Sequence, residues 1–141
     1  MRKLIKPRVT ESFQGPKPKR SKTWEHLPLY GNKIDSQLEA CFLNHTKKLD
    51  LPADWNNESP SKLWVYNLHY FEDLLSDKAE KTHKLHLQLL ISWVDQNPVG
   101  YGNGWEPYPA SLRIVNTLKA WLGGLELDEK LFSSVFAQAS F

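Results

Sequence analysis

The stretch NGWEPYPASLRIVN, Asn103–Asn116, sets two aromatics, a carboxylate and two prolines into Trp105–Pro109, then runs at once into an apolar helical pattern that carries Arg113 and Asn116. Proline suits the first turn of a helix, where its missing N–H leaves no hydrogen bond unmade, so Pro107 or Pro109 marks a helix start. Leu112, Val115, Leu118 and Leu122 follow at helical spacing and are expected to pack inward, and Gly123-Gly124 stops the helix. Upstream, Pro98, Gly100, Gly102 and Gly104 form a glycine-rich loop that permits unusual backbone angles and close approach.

Working outward, helical patterns dominate. Asp77 with Glu80 reads as a capping box opening a helix from about Lys78 to Gln96, with Leu85, Leu89, Trp93 and Gln96 on one stripe. Ser61 can cap a helix over 61–75 whose stripe is Leu63, Trp64, Leu68, Phe71, Leu74 and Leu75. A further helical segment is expected over Ile34–Leu49 before Leu51-Pro52 breaks it, and a last one from about Asp128 uses Leu131, Phe132, Val135 and Phe136. No region reads as strand, and no fixed-period repeat is present. The expected class is all-α.

Composition bounds the rest. The chain has 141 residues, 40% of them apolar and 24% charged, enough for one core of ordinary size. Met1–Lys22 holds eight Lys or Arg against Glu11, which leaves residues 23–141 mildly acidic. That balance argues against a nucleic-acid module built on a basic face, and residues 1–22 read as a solvated, disordered tail. The single cysteine, Cys41, excludes an internal disulfide and reads as a small core residue. No metal-ligand spacing appears, no cofactor is implied, and His83 and His86 read as solvated. The longest apolar run, Leu87–Val94, is far short of the roughly 20 residues a membrane span needs. The start, MRKLIKPRV, lacks the apolar run of a signal peptide, so a cytoplasmic location is expected.

The chemistry-bearing residues cluster in two places. LWVYNLHYFEDLL, Leu63–Leu75, puts Tyr66, Asn67 and Tyr70 on one side of a helix and His69 four residues before Asp73, a spacing that fits either an oriented acid–base pair or a satisfied core histidine. In the second place, Trp105 and Tyr108 offer flat faces with polar edges, suited to sugar rings. Glu106 stands where a helix N-terminus favours a carboxylate. Arg113, whose fork matches a carboxylate or sulfate, is expected near the border of the face opposite Leu118 and Leu122, with Asn116 three residues on. Arg113 could equally close an internal ion pair with Glu106; the two roles are not exclusive.

Taken together, LPADWN, LWVYNLHYFEDLL and GNGWEPYPASLRIVNTLKAWL, in that order over Leu51–Leu122, resemble the N-terminal part of the heparinase II/III-like polysaccharide lyases. The resemblance implies a partial (α/α) toroid of helical hairpins over 23–141, cut before the toroid closes and before a β-sandwich domain. It implies β-elimination at a uronic acid in the intact enzyme, with an acidic polysaccharide as partner and no nucleic acid. The family's catalytic Asn, Tyr and His fall on later segments, so no catalytic residue is assigned and the chain is expected to be an N-terminal fragment inactive by itself. The substrate-binding candidates are Asn67, His69, Tyr70, Trp105, Glu106, Tyr108, Arg113 and Asn116. Three alternatives stand beside this: a non-catalytic module for acidic glycans in polysaccharide biosynthesis, an assembly piece that pairs with the remainder of the toroid, and a glycoside hydrolase. The last would need two opposed carboxylates, of which only Glu106 stands out.

Overall fold

A computed structural model describes residues 16–20, 24, 31–77 and 79–141. The fold is mostly helical, with four α-helices and one small sheet among the described residues: β1 (Glu39–Phe42), β2 (His45–Lys48), α1 (Lys62–Tyr70), α2 (Ala79–Gln96), α3 (Pro107–Leu122) and α4 (Glu129–Ser140). Short 3-10 turns at Ala53–Asn56, Glu72–Leu75 and Asn103–Trp105 precede or follow the helices.

The hairpin β1–β2 corrects the all-α reading and the helix expected over Ile34–Leu49. The strands pair antiparallel with Phe42 opposite His45 and Glu39 opposite Lys48. Leu43 and Asn44 make the two-residue turn, both with positive φ (53° and 60°), the backbone that matches the twist of a tight hairpin. Burial alternates with period two: Ala40 and Phe42 point inward, while Glu39 and Cys41 point out. Cys41 is thus exposed rather than a core residue. Phe42 meets Trp64 edge-on at 5.1 Å, and Trp64 Nε1 donates to the His45 carbonyl at 2.9 Å, which fastens the hairpin to α1. The apolar residues of this segment do not form one helical stripe: Leu43 stands 57% exposed at the turn while Phe42 beside it is buried.

Ser61 caps α1, its Oγ accepting from Trp64 N at 3.0 Å. The helix does not run to Leu75. It ends at Tyr70, Phe71 adopts the left-handed conformation (φ 55°, ψ 39°), and a 3-10 turn over Glu72–Leu75 still buries Leu74 and Leu75. The break has identifiable partners. The His69 and Tyr70 carbonyls, left without intrahelical donors, accept from Arg113 Nη1 (3.2 Å) and Asn116 Nδ2 (2.9 Å). Downstream, the Asp73 carboxylate accepts from the Lys33 and Ile34 backbone amides.

That arrangement reverses the expected face of α3. Its buried side is Pro109, Ala110, Arg113, Asn116, Thr117 and Ala120, set against α1 and the turn that follows it. Of the expected inward stripe, Val115 is exposed and Leu112, Leu118 and Leu122 are only half-buried. Polar side chains win the inner face because they reach carbonyls that would otherwise be orphaned; a leucine there would bury them unpaired. Pro107 begins α3 and Gly123 follows its end, as the sequence reads.

On α2 the inward stripe is His86, Leu89, Leu90 and Trp93, with Leu85 half-buried and Gln96 exposed. His86 is therefore a core residue and not the solvated one expected. The helix starts at Ala79, next to Lys78, which lies outside the described residues. Asp128 caps α4 by accepting from Leu131 N at 2.8 Å. Leu131 and Phe132 are buried, Val135 is half-buried and Phe136 is exposed.

Of the basic N-terminal stretch, Pro16–Arg20 is described and residues 1–15 and 21–22 lie outside the described residues. Arg20 donates to the Trp121 carbonyl and to Glu126, with its Cζ 5.7 Å from the Trp121 ring centroid. A cation on the last carbonyls of α3 is favoured by the helix dipole. No helix of the described residues is long and apolar enough to cross a membrane.

Candidate functional site

The eight candidates fall into two layers, one sealed inside and one at the surface. The inner layer forms around Arg113, which is 1% exposed. Its Nε donates to Gln138 Oε1 (2.9 Å), Nη1 to the His69 carbonyl and Nη2 to the Gly104 carbonyl (2.7 Å). Its Cζ lies 3.7 Å from the centroid of the Trp93 ring. All of these partners are neutral. The expected Glu106–Arg113 ion pair is not formed, and burial without a carboxylate pulls the guanidinium down to about 9.

His69 is buried between two indoles, stacked on Trp55 at 5.9 Å and edge-on to Trp93 at 6.3 Å. Trp93 Nε1 donates to His69 Nδ1 at 2.9 Å, so in the neutral ring the proton sits on Nε2. Nε2 turns toward the Trp55 carbonyl but closes no hydrogen bond among the described residues. Burial, then the nearby Arg113 charge, push this histidine down to about 3. It is neutral, enclosed and not paired with Asp73, whose oxygens serve Lys33 and Ile34 instead. Of the readings that the His69–Asp73 spacing leaves open, the one formed is the core histidine.

The glycine loop is clamped onto this layer. A Cβ on Gly104 would stand 2.7 Å from His69 Nδ1 and 3.0 Å from Trp93 Cζ2, and one on Gly102 (φ 80°) would stand 2.1 Å from Asn56 Oδ1. Asn56 Oδ1 instead accepts from Asn103 N at 3.0 Å. Trp105 is 4% exposed, donates from Nε1 to the Asn97 carbonyl at 3.0 Å and packs on Trp93 at 5.8 Å. Its ring is core, which corrects the reading of Trp105 as a sugar platform. Asn116 is likewise buried against α1.

The surface layer lies where α1 meets the start of α3. Lys62, Tyr66 and Tyr70 recur every four residues along α1, a row about 12 Å long. Tyr66 OH donates to Glu106 Oε2, Lys62 Nζ lies 3.0 Å from Glu106 Oε1, and the same Nζ stands 5.4 Å from the Tyr66 ring centroid. Tyr70 meets Tyr108 edge-on at 5.8 Å. Tyr108 is 62% exposed and Leu63 52%. The Tyr66 hydrogen bond, followed by Lys62, holds Glu106 below the ordinary carboxylate value, so it is ionised at neutral pH. Burial pushes Tyr70 up to about 12. Asn67, half-buried beside this row, gives its Nδ2 to the Leu63 carbonyl at 2.9 Å.

Of the eight candidates, Glu106 and Tyr108 stand at the ledge with Asn67 beside them, while Tyr70, buried behind Tyr108, joins His69, Trp105, Arg113 and Asn116 in the support beneath. Lys62 and Tyr66 belong to the ledge but not to the candidate set; their spacing of four residues from each other and from Tyr70 was the available signal. A separate narrow crevice is lined by Trp55, Asn67, Phe71, Asp73, His86 and Leu89, among others. Burial there pushes Asp73 up to about 6 against the pull of its two backbone donors, and lowers His86 to about 4. Among the described residues no group of three His, Cys, Asp or Glu is placed to hold a metal ion. Compared with known proteins, the chain matches no family model, no curated protein and no solved structure.

Proposed function

We propose that the chain is a glycan-binding helical domain of the heparinase II/III-like lyase type, and that the tyrosine ledge forms one wall of its cleft for a uronate-containing polysaccharide. The observation that carries the reading is the combination at one ledge of the exposed Tyr108 ring and the half-buried Tyr66 ring, backed by the buried Tyr70, with Lys62 and Glu106, whose heads are already paired. Aromatic faces take up the apolar side of a pyranose ring, and fixed polar heads take its hydroxyls without the cost of ordering loose side chains. Arg113 and Asn116 act from beneath, by holding the end of α1 against the start of α3.

The elimination chemistry that the resemblance implies begins with proton removal beside a uronate carboxylate. His69 is not free for it, being enclosed by Trp55 and Trp93, and the Glu106 carboxylate is engaged by Tyr66 and Lys62. The chain by itself is therefore proposed to bind without cleaving. Calorimetric titration of the purified chain with an unsulfated uronate oligosaccharide, followed by absorbance of the unsaturated product, tests both halves. Saturable binding weakened by Tyr108→Ala, with no absorbance rise, is expected; no binding, or turnover, overturns the proposal.

A second reading, pairing with further helical hairpins of an (α/α) toroid, is favoured by the outward side of α3, where Tyr108 and Val115 are exposed and Leu118 and Leu122 half-covered. Sedimentation of the purified chain tests it: self-association abolished by Val115→Glu supports an unpartnered face, and a monodisperse monomer with no dependence on that residue speaks against it.

A further inference from the structure

Resting on the glycan-binding reading, we infer that the ledge selects glycans of low charge density, with at most a carboxylate per ring, over sulfated glycans, and that Glu106 is the residue that enforces the choice. The argument is one of charge placement. Dense sulfate is held by clusters of Lys and Arg with free donors. At the ledge the exposed cation is Lys62, and its ammonium is already taken by Glu106 at 3.0 Å.

Beneath the ledge, the donors of Arg113 face inward to Gln138, His69 and Gly104. A ring with a single carboxylate can still be seated, by sharing Lys62 with Glu106 while its face lies on Tyr108. A ring that carries several sulfates would bring them against Glu106 with no donor to meet them. Glu106 thus acts as the ledge's own competing anion.

The test compares three probes on the full chain at two salt concentrations: an unsulfated glucuronate tetrasaccharide, a neutral cello-tetraose and a heparin tetrasaccharide. The unsulfated uronate is expected to bind with an affinity that changes by less than about threefold between low and physiological salt, as for a site with one shared cation. Heparin is expected to bind no tighter. Glu106→Gln, which keeps an acceptor for Tyr66 while freeing Lys62, should strengthen both acidic probes by about two- to fivefold and leave cello-tetraose unchanged. Preferential binding of heparin with steep salt dependence would overturn the inference and leave the glycan-binding reading standing. Unchanged binding of the acidic probes by a folded Glu106→Gln chain would also overturn it. Failure of all three probes to bind would remove the functional reading itself.

Discussion

The guanidinium of Arg113 lies over the Trp93 ring, Cζ to centroid 3.7 Å, while its N–H groups reach the end of α1, the glycine loop and α4. One side chain thus ties together the His69 carbonyl, the Gly104 carbonyl and Gln138, three points that the chain visits far apart. Its charge is buried without a carboxylate, and what compensates it is the carbonyl end of a helix, a second carbonyl, an amide and an aromatic face. The positions of Glu106 and Tyr108 on the ledge depend on this tie, because they stand at the start of the same helix.

Replacing Arg113 by lysine should destabilise the fold by about 3 kcal/mol or more, since a single ammonium cannot reproduce the fork and leaves buried acceptors unpaired. Arg113→Met, which fills part of the volume but donates nothing, should fare no better. Urea unfolding of the three chains measures it. A loss below about 1 kcal/mol for lysine would mean that the charge, not the geometry of the donors, is what matters there.

Gly104→Ala should cost about 1–3 kcal/mol through overpacking, because its Cβ would collide with His69 and Trp93, both themselves buried. Fluorescence of the buried indoles on thermal unfolding reports it directly. An unchanged melting temperature would show that the loop can shift away from the histidine at no cost.

Leu43→Gly should stabilise the chain by about 1 kcal/mol. Leu43 is exposed and holds φ 53° in the hairpin turn, a conformation that costs a side chain of this type about that much and costs glycine little. A melting temperature lower than that of the parent chain would contradict this and assign Leu43 a packing role.

Acid should destabilise the protein partly through His86. Burial holds His69 near 3 and His86 near 4, below their ordinary 6.5, so as pH falls below about 6.5 the unfolded chain takes up these protons first and stability is lost. Asp73, pushed up to about 6, takes its proton in the folded state first and opposes the loss between pH 6 and its ordinary 3.8. His86→Leu removes one histidine from this balance. Its stability should therefore fall less steeply than the parent's between pH 6 and pH 4, by about 1.4 kcal/mol per pH unit. Denaturant unfolding across that range decides it, and parallel curves would refute the assignment.

How much was legible in the sequence follows from where each signal acts. The cap Ser61, the helix starts near Asp128 and at Pro107 and the stop at Gly123 were readable because each works within a few residues of chain. The clamped loop was readable in kind: glycines allowed close approach, and the approach is made at Gly102 and Gly104. The inner face of α3 was not readable. Hydrophobic periodicity assigns Leu112, Val115, Leu118 and Leu122 to the core, whereas the actual inner face is chosen by carbonyls of α1 more than forty residues away. The break at Phe71 is hidden for the same reason, since its cause is the set of donors that α3 supplies. The hairpin over 39–48 was hidden by its shortness and by an exposed leucine in its turn.

Of the candidate site residues, Glu106, Tyr70 and Tyr108 come together where α1 meets the start of α3 although they are read from two separate stretches of sequence. Trp105 reads as a sugar platform and the His69 spacing leaves its role open, because burial of an indole or an imidazole leaves no mark in local spacing. Lys62 and Tyr66 were passed over even though they repeat at helical spacing with Tyr70, because a lysine near a helix start is ordinarily a solvated charge.

The most direct test of the central claim is a residue-resolved NMR titration of the chain with the unsulfated glucuronate tetrasaccharide. The account predicts saturable shifts at Lys62, Tyr66, Glu106 and Tyr108, with His69 and Trp93 unmoved beneath them. Saturation without shifts on that ledge, or no shifts at any accessible concentration, would contradict it.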